Sequence, residues 1–451
     1  MGNAFDETVA DMRDRVTPSP AERRQLEAAV AEIMDRTRRA VDEADVDADV
    51  LQVGSTARDT WLRGDRDIDV FVRFPPSMTR EELETHGLAI GRTVLPDGEL
   101  EHAEHPYVAA EWNGYDVDLV PCFAVASGAD RRSAVDRTPF HNRYVKERLT
   151  PKLATDVRVL KRFAEAVGVY GSNLRTEGFS GYLTELLVIE YGDFRSVIEA
   201  AATWQPPVEL DPEAHAAETF SDPLVVIDPT DPQRNVAAVV SPETVARFQH
   251  HARALRRDPR PERFEPTTPT PLDPASLRAH LDRRDASVYA IRTTPPDVVD
   301  DQLYPQLRTT ERGIVRALEA NEFDVLRSAA FADETAVWYF ELGVDQLPAI
   351  ARHEGPPVHV EEHATAFLER YRHEDDVYGP FIAEDRYVVE RPRSPRDAAS
   401  FLRSDAVLDA GIGKDIRREF AEGYEVLIGT DVTRLLPEFG RELATFYDPS
   451  P

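Results

Sequence analysis

Asp67 and Asp69 stand two residues apart within an apolar run, and that spacing is where chemistry first becomes legible in the chain. From Leu51 to Phe74 the residues read L-Q-V-G-S-T-A-R-D-T-W-L-R-G-D-R-D-I-D-V-F-V-R-F. Side chains alternate faces along a strand, so Asp67, Asp69 and Phe71 share one face while Ile68, Val70 and Val72 take the other. Carboxylates in such a setting need partners or a metal. A divalent cation held by oxygen ligands meets that need, and Mg²⁺ usually completes its shell with waters and substrate phosphates. Just upstream, the apolar residues Val50, Leu51 and Val53 run into Gly54-Ser55, where backbone N–H groups and a helix start can cradle phosphate. A lone D-x-D is most often a solvated edge, and a lone Gly-Ser is most often a turn with an N-cap. Here the two occur in order, as G-S-x-x-R-x-T followed by G-x-x-D-x-D, and a phosphate cradle beside metal carboxylates points to nucleotidyl transfer.

A second strand carries the same feature. Tyr107 to Phe123 reads as two strands flanking Asn113-Gly114, the strongest short hairpin signal. In the second of them Asp116, Asp118 and Val120 share a face, opposite Tyr115, Val117 and Leu119. If this strand lies beside the first, three carboxylates converge; otherwise Asp118 belongs to an exposed acidic hairpin face.

The elements that must position these residues follow from local signals. Ser19-Pro20-Ala21-Glu22 is a capping box with proline at the first helical position, opening a long amphipathic helix through Leu26, Val30, Ile33 and Met34. The key stretch should hold a single helical turn through Arg58, Thr60, Trp61 and Leu62, ended at Gly64. Arg80 to Val94 reads as a helix. Arg137 to Tyr191 is mostly helical, with Val157, Leu160, Phe163 and Val167 at helical spacing and a stop at Gly168-Val169-Tyr170-Gly171. Leu224 to Ile227 is a short strand, and Asp231 to Asn235 is expected to turn into a helix near Val236. Arg257 to Pro274, rich in proline and charge, marks a boundary. Beyond it the order is a strand (Ser287 to Arg292), a helix (Arg308 to Ala320), a hairpin (Asp324 to Phe331 with Thr335 to Leu342) and a helix near Val344. That order fits a ferredoxin-like or RNA-recognition-like unit. Helices at Glu362 to Tyr371, Pro395 to Phe401 and Lys414 to Ala421 complete the tail.

Composition bounds the setting. The 451 residues carry a formal net charge of −30, and the only lysines are Lys146, Lys152, Lys161 and Lys414, so arginine supplies the other cations. Acid-rich, lysine-poor surfaces fit a protein working in very high salt, where the Debye length shrinks to about 3 Å and self-repulsion is weak. Binding to a polyanion then rests on shape and local arginine contacts rather than long-range attraction. Arg253, Arg256, Arg257 and Arg260 form one such cluster, and Arg391, Arg393 and Arg396 another. Cys122 is the only cysteine, which fits a reducing interior. No apolar run approaches the roughly 20 residues of a membrane span, and the opening M-G-N-A-F-D-E lacks an apolar signal core. The expectation is a cytoplasmic protein with no membrane partner.

Taken in order, G-S-T-A-R-D-T-W-L-R-G-D-R-D-I-D-V-F, D-V-D-L-V-P-C-F, D-R-T-P-F-H, V-L-K-R-F, G-V-Y-G, G-F-S-G-Y-L-T-E-L-L and V-I-D-P-T-D-P-Q-R-N-V-A-A resemble the archaeal (class I) CCA-adding enzymes. These are tRNA nucleotidyltransferases of the DNA polymerase β-like superfamily. The resemblance implies an α+β multidomain fold. It would comprise a nucleotidyltransferase head over residues 1–148, a central helical domain over 149–265 and an α+β tRNA-binding region over 266–451. It implies template-independent addition of C, C and A to the 3′ end of tRNA from CTP and ATP, with release of pyrophosphate. By the same resemblance Asp67, Asp69 and Asp118 hold two Mg²⁺ ions, although many relatives carry Glu where this chain has Asp67. Ser55, Arg58, His141, Lys161, Tyr170 and Arg234 match nucleotide-binding positions, with Thr138 beside His141 and Arg234 matching the arginine that reads the incoming base. A homodimer is common in that family. The competing readings are a poly(A) polymerase or oligoadenylate synthetase-like enzyme, and a non-catalytic RNA-binding protein.

If the acid excess is an adaptation to salt, stability should track it. The urea midpoint of unfolding is expected to rise steeply between dilute buffer and molar KCl. Full stability in dilute buffer would refute the adaptation.

Overall fold

The computed structural model describes residues 2–102 and 104–451. They form two compact units, one running through Thr267 and one spanning Thr268–Ser450.

The first unit opens with helices α1 (Gly2–Val16) and α2 (Pro20–Glu43). The expected capping box is present at the head of α2: Ser19 accepts from the Glu22 N–H, and Glu22 accepts from the Ser19 N–H. Strand β1 (Asp49–Val53) runs into the short turn α3 (Gly54–Ala57). Then come β2 (Asp67–Phe74), α4 (Arg80–Val94), β3 (Glu99–His102), β4 (Pro106–Trp112) and β5 (Tyr115–Phe123). The five strands form one sheet in the order β1-β2-β5-β4-β3. At the β4–β5 hairpin Asn113 and Gly114 take φ of +52° and +77°, the two positive values a type I′ turn requires.

Alternation along the strands separates the sheet's two faces. Ile68, Val70, Val72 and Phe74 join Val117, Leu119 and Phe123 in a core roofed by α2 and α4. Phe71, Val120 and Cys122 pack on the opposite face with Val53. Helix α4 presses closely on the sheet, since a Cβ on Gly87 would lie 2.6 Å from Pro121 Cβ.

A second core of the same unit is mainly helical. It is built by α5 (Thr138–Arg148), α6 (Pro151–Ala166), α7 (Gly181–Tyr191), α8 (Phe194–Ala201) and, beyond the strands β6 (Val208–Leu210), β7 (Leu224–Asp228) and β8 (Asp231–Asn235), by α9 (Pro242–Arg257). Phe163, Phe179, Phe194, Phe248 and Phe264 lie at its centre, with α1 packed on α6. Burial of these rings is the main driving force here.

Two expectations in this unit fail locally. The helical turn of the key stretch covers Gly54–Ala57, not Arg58 to Leu62. Gly54 at φ +78° turns the chain as soon as the strand ends, and Asp59 at φ +56° leaves the helical path. Trp61 and Leu62 are instead buried anchors of an irregular loop. Likewise Asp231–Asn235 forms a strand antiparallel to β7 rather than leading into a helix near Val236. Asn235 holds it there, accepting from the N–H groups of Val226 and Ala237 and donating to Leu224 O. The next helix begins at Pro242, capped by Ser241.

The second unit comprises α10 (Pro274–Arg284), β9 (Ser287–Thr293), α11 (Asp300–Ala320), β10 (Asp324–Ala332), β11 (Ala336–Val344), β12 (Ile350–Pro357), α12 (Glu361–Tyr371), β13 (Tyr378–Ala383), β14 (Arg386–Pro392), α13 (Ala398–Leu402), α14 (Lys414–Glu422), β15 (Glu425–Ile428) and α15 (Leu436–Tyr447). Its main sheet is antiparallel in the order β10-β11-β9-β15. Counted along the main sheet's own strands this is 2-3-1-4, the expected ferredoxin-like arrangement. Alternate residues of β9 and β11 enter different cores, Ile291, Trp338 and Phe340 with α11 on one face, Ala290, Val337 and Tyr339 with α15 on the other. The helix expected near Val344 is replaced by β12, which pairs with β14 in a separate sheet ordered β12-β14-β13. That sheet is part of an insertion between the third and fourth strands of the main sheet. Among the described residues no helix is long and apolar enough to cross a membrane.

The close approach at Gly87 gives a stability test. Gly87→Ala raises helix propensity yet should destabilise the chain by about 1–3 kcal/mol through overpacking against the Pro121 ring. Urea unfolding in high salt measures it, and a more stable variant would show that the contact is slack.

Candidate active site

Strands β2 and β5 run parallel, and their register sets Asp67 opposite Asp116 and Asp69 opposite Asp118. Residues in register on neighbouring strands point to the same face. Asp67, Asp69 and Asp118 therefore come together on the sheet face away from α2 and α4. Burial raises the pKa of each. Asp118 is pushed up to about 6, by burial first and then by the charges of Asp69, Asp67, Glu101 and Asp116. Asp69 is raised by burial and by Asp67, against the pull of Arg58. Gly54 is obligatory beside them, since a Cβ there would fall 1.8 Å from Asp69 Oδ2.

A buried ionic knot flanks the carboxylates. Glu185, wholly buried on α7, accepts through Oε1 from Arg58 Nε at 2.9 Å and from Thr60 Oγ1 at 2.5 Å. Among the described residues its Oε2 has no hydrogen-bond partner. Lys161 on α6 donates from Nζ to Thr60 O at 2.9 Å, and burial lowers its pKa against the opposing pull of Glu185. Tyr170 closes this corner: a Cβ on Gly181 would lie 3.2 Å from its hydroxyl and 3.6 Å from Lys161 Nζ. Ser180 caps α7 by accepting from the Leu183 N–H, which fixes where Gly181, Tyr182 and Glu185 begin.

Farther along the same helix, Tyr182 stacks on His141 with centroids 4.1 Å apart. Both rings meet Asp228, a fully buried carboxylate at the end of β7. Asp228 Oδ2 takes His141 Nε2 at 2.8 Å and Arg234 Nη1 at 2.7 Å, while Oδ1 takes the Thr230 N–H and hydroxyl at 2.9 Å each. Burial would raise the Asp228 pKa, but these hydrogen bonds outweigh it and hold the carboxyl far below the usual range. Burial likewise lowers that of His141. Asp231 repeats the device across the turn, pairing Arg131 and Arg137 at 2.7 and 3.0 Å.

The residues singled out from the sequence thus fall into two adjoining groups on one helix. Arg58, Lys161 and Tyr170 gather at Gly181 and Glu185, and His141 and Arg234 gather at Tyr182 and Asp228. Ser55 lies in the α3 turn, half-buried, directly after β1. Helix α5, which begins at Thr138 and carries His141, packs against α3 and β1. Arg58 and Lys161 are largely enclosed rather than free in a cleft. No local pattern marks Glu185, Asp228 and Tyr182 as the residues that fasten these groups. The signal that was available was the cost of carboxylates placed in apolar runs. Of the arginine clusters, Arg253 donates to Ala202 O, Arg260 meets Asp258 and Arg393 meets Glu322. Arg256, Arg257, Arg391 and Arg396 are exposed.

Among the described residues no three His, Cys, Asp or Glu side chains stand, as placed, close enough together to hold a metal ion. The donor set of Asp67, Asp69 and Asp118 nonetheless fits a hard cation. All three offer oxygen, none is hydrogen-bonded by a described side chain, and their charges oppose one another with Asp118 raised to about 6. An open arrangement of this kind suits an ion that draws its remaining ligands from water and phosphate.

The elevated Asp118 value is directly testable. A raised acid keeps a proton in the folded state that the unfolded chain has released, so its contribution to stability is present below about pH 4 and lost as pH rises through about 6. Carboxyl-carbon NMR should find Asp118 titrating near 6, and Asp69→Asn should lower that value without restoring the ordinary one, because burial is the larger cause. No response to Asp69→Asn would show that the two carboxylates do not face each other.

Comparison with known proteins places this site in a family. Residues 34–141 match the family model described as nucleotidyltransferase domain, 155–265 that of the tRNA nucleotidyltransferase second domain, and 284–429 that of the CCA-adding enzyme C-terminal domain. The chain is 54% identical to the CCA-adding enzyme of Halorubrum lacusprofundi, covering 99% of each chain. It is 52% identical to that of Haloarcula marismortui over the whole of both. With the CCA-adding enzyme of Methanoregula boonei it shares 43% identity over 96% of this chain and 93% of the relative. On these grounds the chain belongs to the CCA-adding enzyme family.

Proposed function

We propose that this chain adds C, C and A in turn to the 3′ end of tRNA, taking CTP and ATP, releasing pyrophosphate and using no nucleic-acid template. The observation that carries the reading is the set of three carboxylates on one face of parallel β2 and β5, beside the Gly54-Ser55 turn, in a chain of this family. Asp67, Asp69 and Asp118 would hold divalent cations, which we take to be Mg²⁺. Such ions stabilise both the attacking and the leaving oxygen of an in-line displacement.

The chain's own residues do the rest. The Ser55 hydroxyl and its turn offer donors to the triphosphate. Arg58 keeps its Nη donors for phosphate while Glu185 fixes its Nε. Lys161 braces the loop at Thr60 and adds positive charge behind it. Tyr170 shapes the corner at Gly181. His141 and Arg234 face the nucleoside, and Arg234 offers hydrogen-bond donors to the base edge. Both C and A present acceptors there, and a base that leaves buried polar groups unpaired loses about 1–3 kcal/mol for each. In the second unit the ferredoxin-like sheet and exposed arginines such as Arg391 and Arg396 suit recognition of an RNA helix by shape and backbone. The lone, buried Cys122 agrees with work in a reducing cytoplasm. Following the family, we take the working form to be a homodimer.

Incubation of the protein with tRNA lacking its 3′ end tests the assignment. C, C and A should be added in order and extension should stop. Continuous A tails would favour a poly(A) polymerase, and RNA binding without extension a non-catalytic role. Asp118→Ala should lower turnover by on the order of 10²–10³-fold, the loss typical of removing a preorganised charge-stabilising group. Turnover that survives Asp118→Ala would remove Asp118 from the site.

A further inference from the structure

Asp228 belongs to none of the groups expected to touch substrate, yet more of the site converges on it than on any residue described above. It has no solvent exposure, and its four oxygen lone-pair positions are all engaged. Two are taken at Oδ1 by Thr230, with the Tyr182 hydroxyl also within 3.4 Å. The other two, on Oδ2, are taken by Arg234 Nη1 and His141 Nε2. We propose that Asp228 is a specificity-determining positioning residue: by gripping Arg234 and His141 through one oxygen, it fixes the two groups that face the incoming base and so sets which bases are accepted. The inference rests on the reading of Arg234 as the base-edge donor.

The physics runs through rigidity. A guanidinium is planar, so pinning Nη1 fixes the plane in which its other N–H donors lie. Arg234 remains 31% exposed on its side chain, and its Nε and Nη2 have no hydrogen-bond acceptor among the described residues, so a fixed set of donors is left toward the pocket. A guanidinium freed from Asp228 could swing to meet acceptors placed differently on U or G. His141 is constrained in the same way. Its Nε2 is committed to Asp228 and its ring is clamped flat on Tyr182, which leaves Nδ1 with one orientation. The adjacent Arg131 and Arg137 are tied to Asp231 instead, so no second carboxylate is left over to take Asp228's part.

Asp228→Asn isolates the effect. Asparagine keeps the size of the side chain and can keep Oδ1 on Thr230, but its amide nitrogen cannot accept from Arg234 or His141. Single-turnover incorporation by the full chain, in high salt, on tRNA ending before each added residue gives the CTP-to-UTP and ATP-to-GTP preferences. Both are expected to fall about tenfold or more in the variant, the worth of one hydrogen bond. The KM for the correct nucleotide should rise more than kcat falls. Adding Asp228→Asn to Arg234→Ala should change the preferences less than Asp228→Asn does alone, since only the grip on His141 is then left to lose. A uniform loss of rate with unchanged preferences would overturn the proposal and leave Asp228 a structural residue. If Asp228→Asn does not fold, Thr230→Ala, which releases only the Oγ1 bond to Oδ1, should give a smaller loss of the same preferences, and unchanged preferences there overturn it equally. An unaltered chain that adds nothing to tRNA would instead sink the functional reading itself.

Discussion

The ion pair between Arg58 and Glu185 is the constraint on which the site depends. Glu185 is wholly buried and Arg58 nearly so, and they join the loop after β1 to the first turns of α7 across a separation of 127 residues. Removing one partner of such a pair costs about 3–5 kcal/mol, because the survivor is left as an uncompensated charge. The Thr60 hydroxyl shares the same oxygen, and Lys161 holds the Thr60 carbonyl from α6. The sheet of carboxylates and the helical core are therefore locked together at the point where nucleotide must sit. Without that lock the phosphate turn would be tied to His141 chiefly by the packing of α5 on α3 and β1.

Charge is handled in two ways in this molecule. Asp156, Asp228, Asp231 and Glu185 are buried, and each is matched by a guanidinium, with Arg13 serving Asp156. Asp67, Asp69 and Asp118 have no such ion pair; burial raises all three, Asp67 raises Asp69, and both raise Asp118. A chain so rich in acid, with arginine as nearly its only cation, shows by contrast where its negative charge is functional. Structural carboxylates receive arginine or, as at Asp136, backbone N–H donors, whereas these three remain open to a ligand supplied from solution.

The second unit follows a simpler logic. Its main sheet is covered on both faces, so β11 reads as the almost unbroken apolar run A-V-W-Y-F-E-L rather than as an alternating strand. The insertion of a second sheet between its third and fourth strands leaves the ferredoxin-like order intact. An edge of the small sheet carries exposed Tyr378 and Ile382 without disturbing that core.

Local periodicity and capping are written in the chain, and what they encode could be read from it. Alternation put Asp67 and Asp69 on one face of a strand and Asp116 with Asp118 on one face of another. Asn113-Gly114 demanded a hairpin, and Ser19 with Glu22 started α2 where it starts. In the last third the order of elements announced β9, β10 and β11 of the main sheet but not β15. Local signals failed where a residue's conformation answers to distant atoms. The turn after Gly54 is ended by the φ of Asp59, β8 is held by the amide of Asn235 reaching back to β7, and β12 exists only because β14 pairs with it. Long-range packing sets β5 parallel to β2 in the register that puts Asp118 beside Asp69, and it brings Glu185 to Arg58 and Asp228 to both His141 and Arg234. A buried carboxylate states in the sequence that it needs a cation or a donor. Which one it receives is settled when chains of contacts far apart in sequence close on each other, and no window of neighbouring residues carries that information.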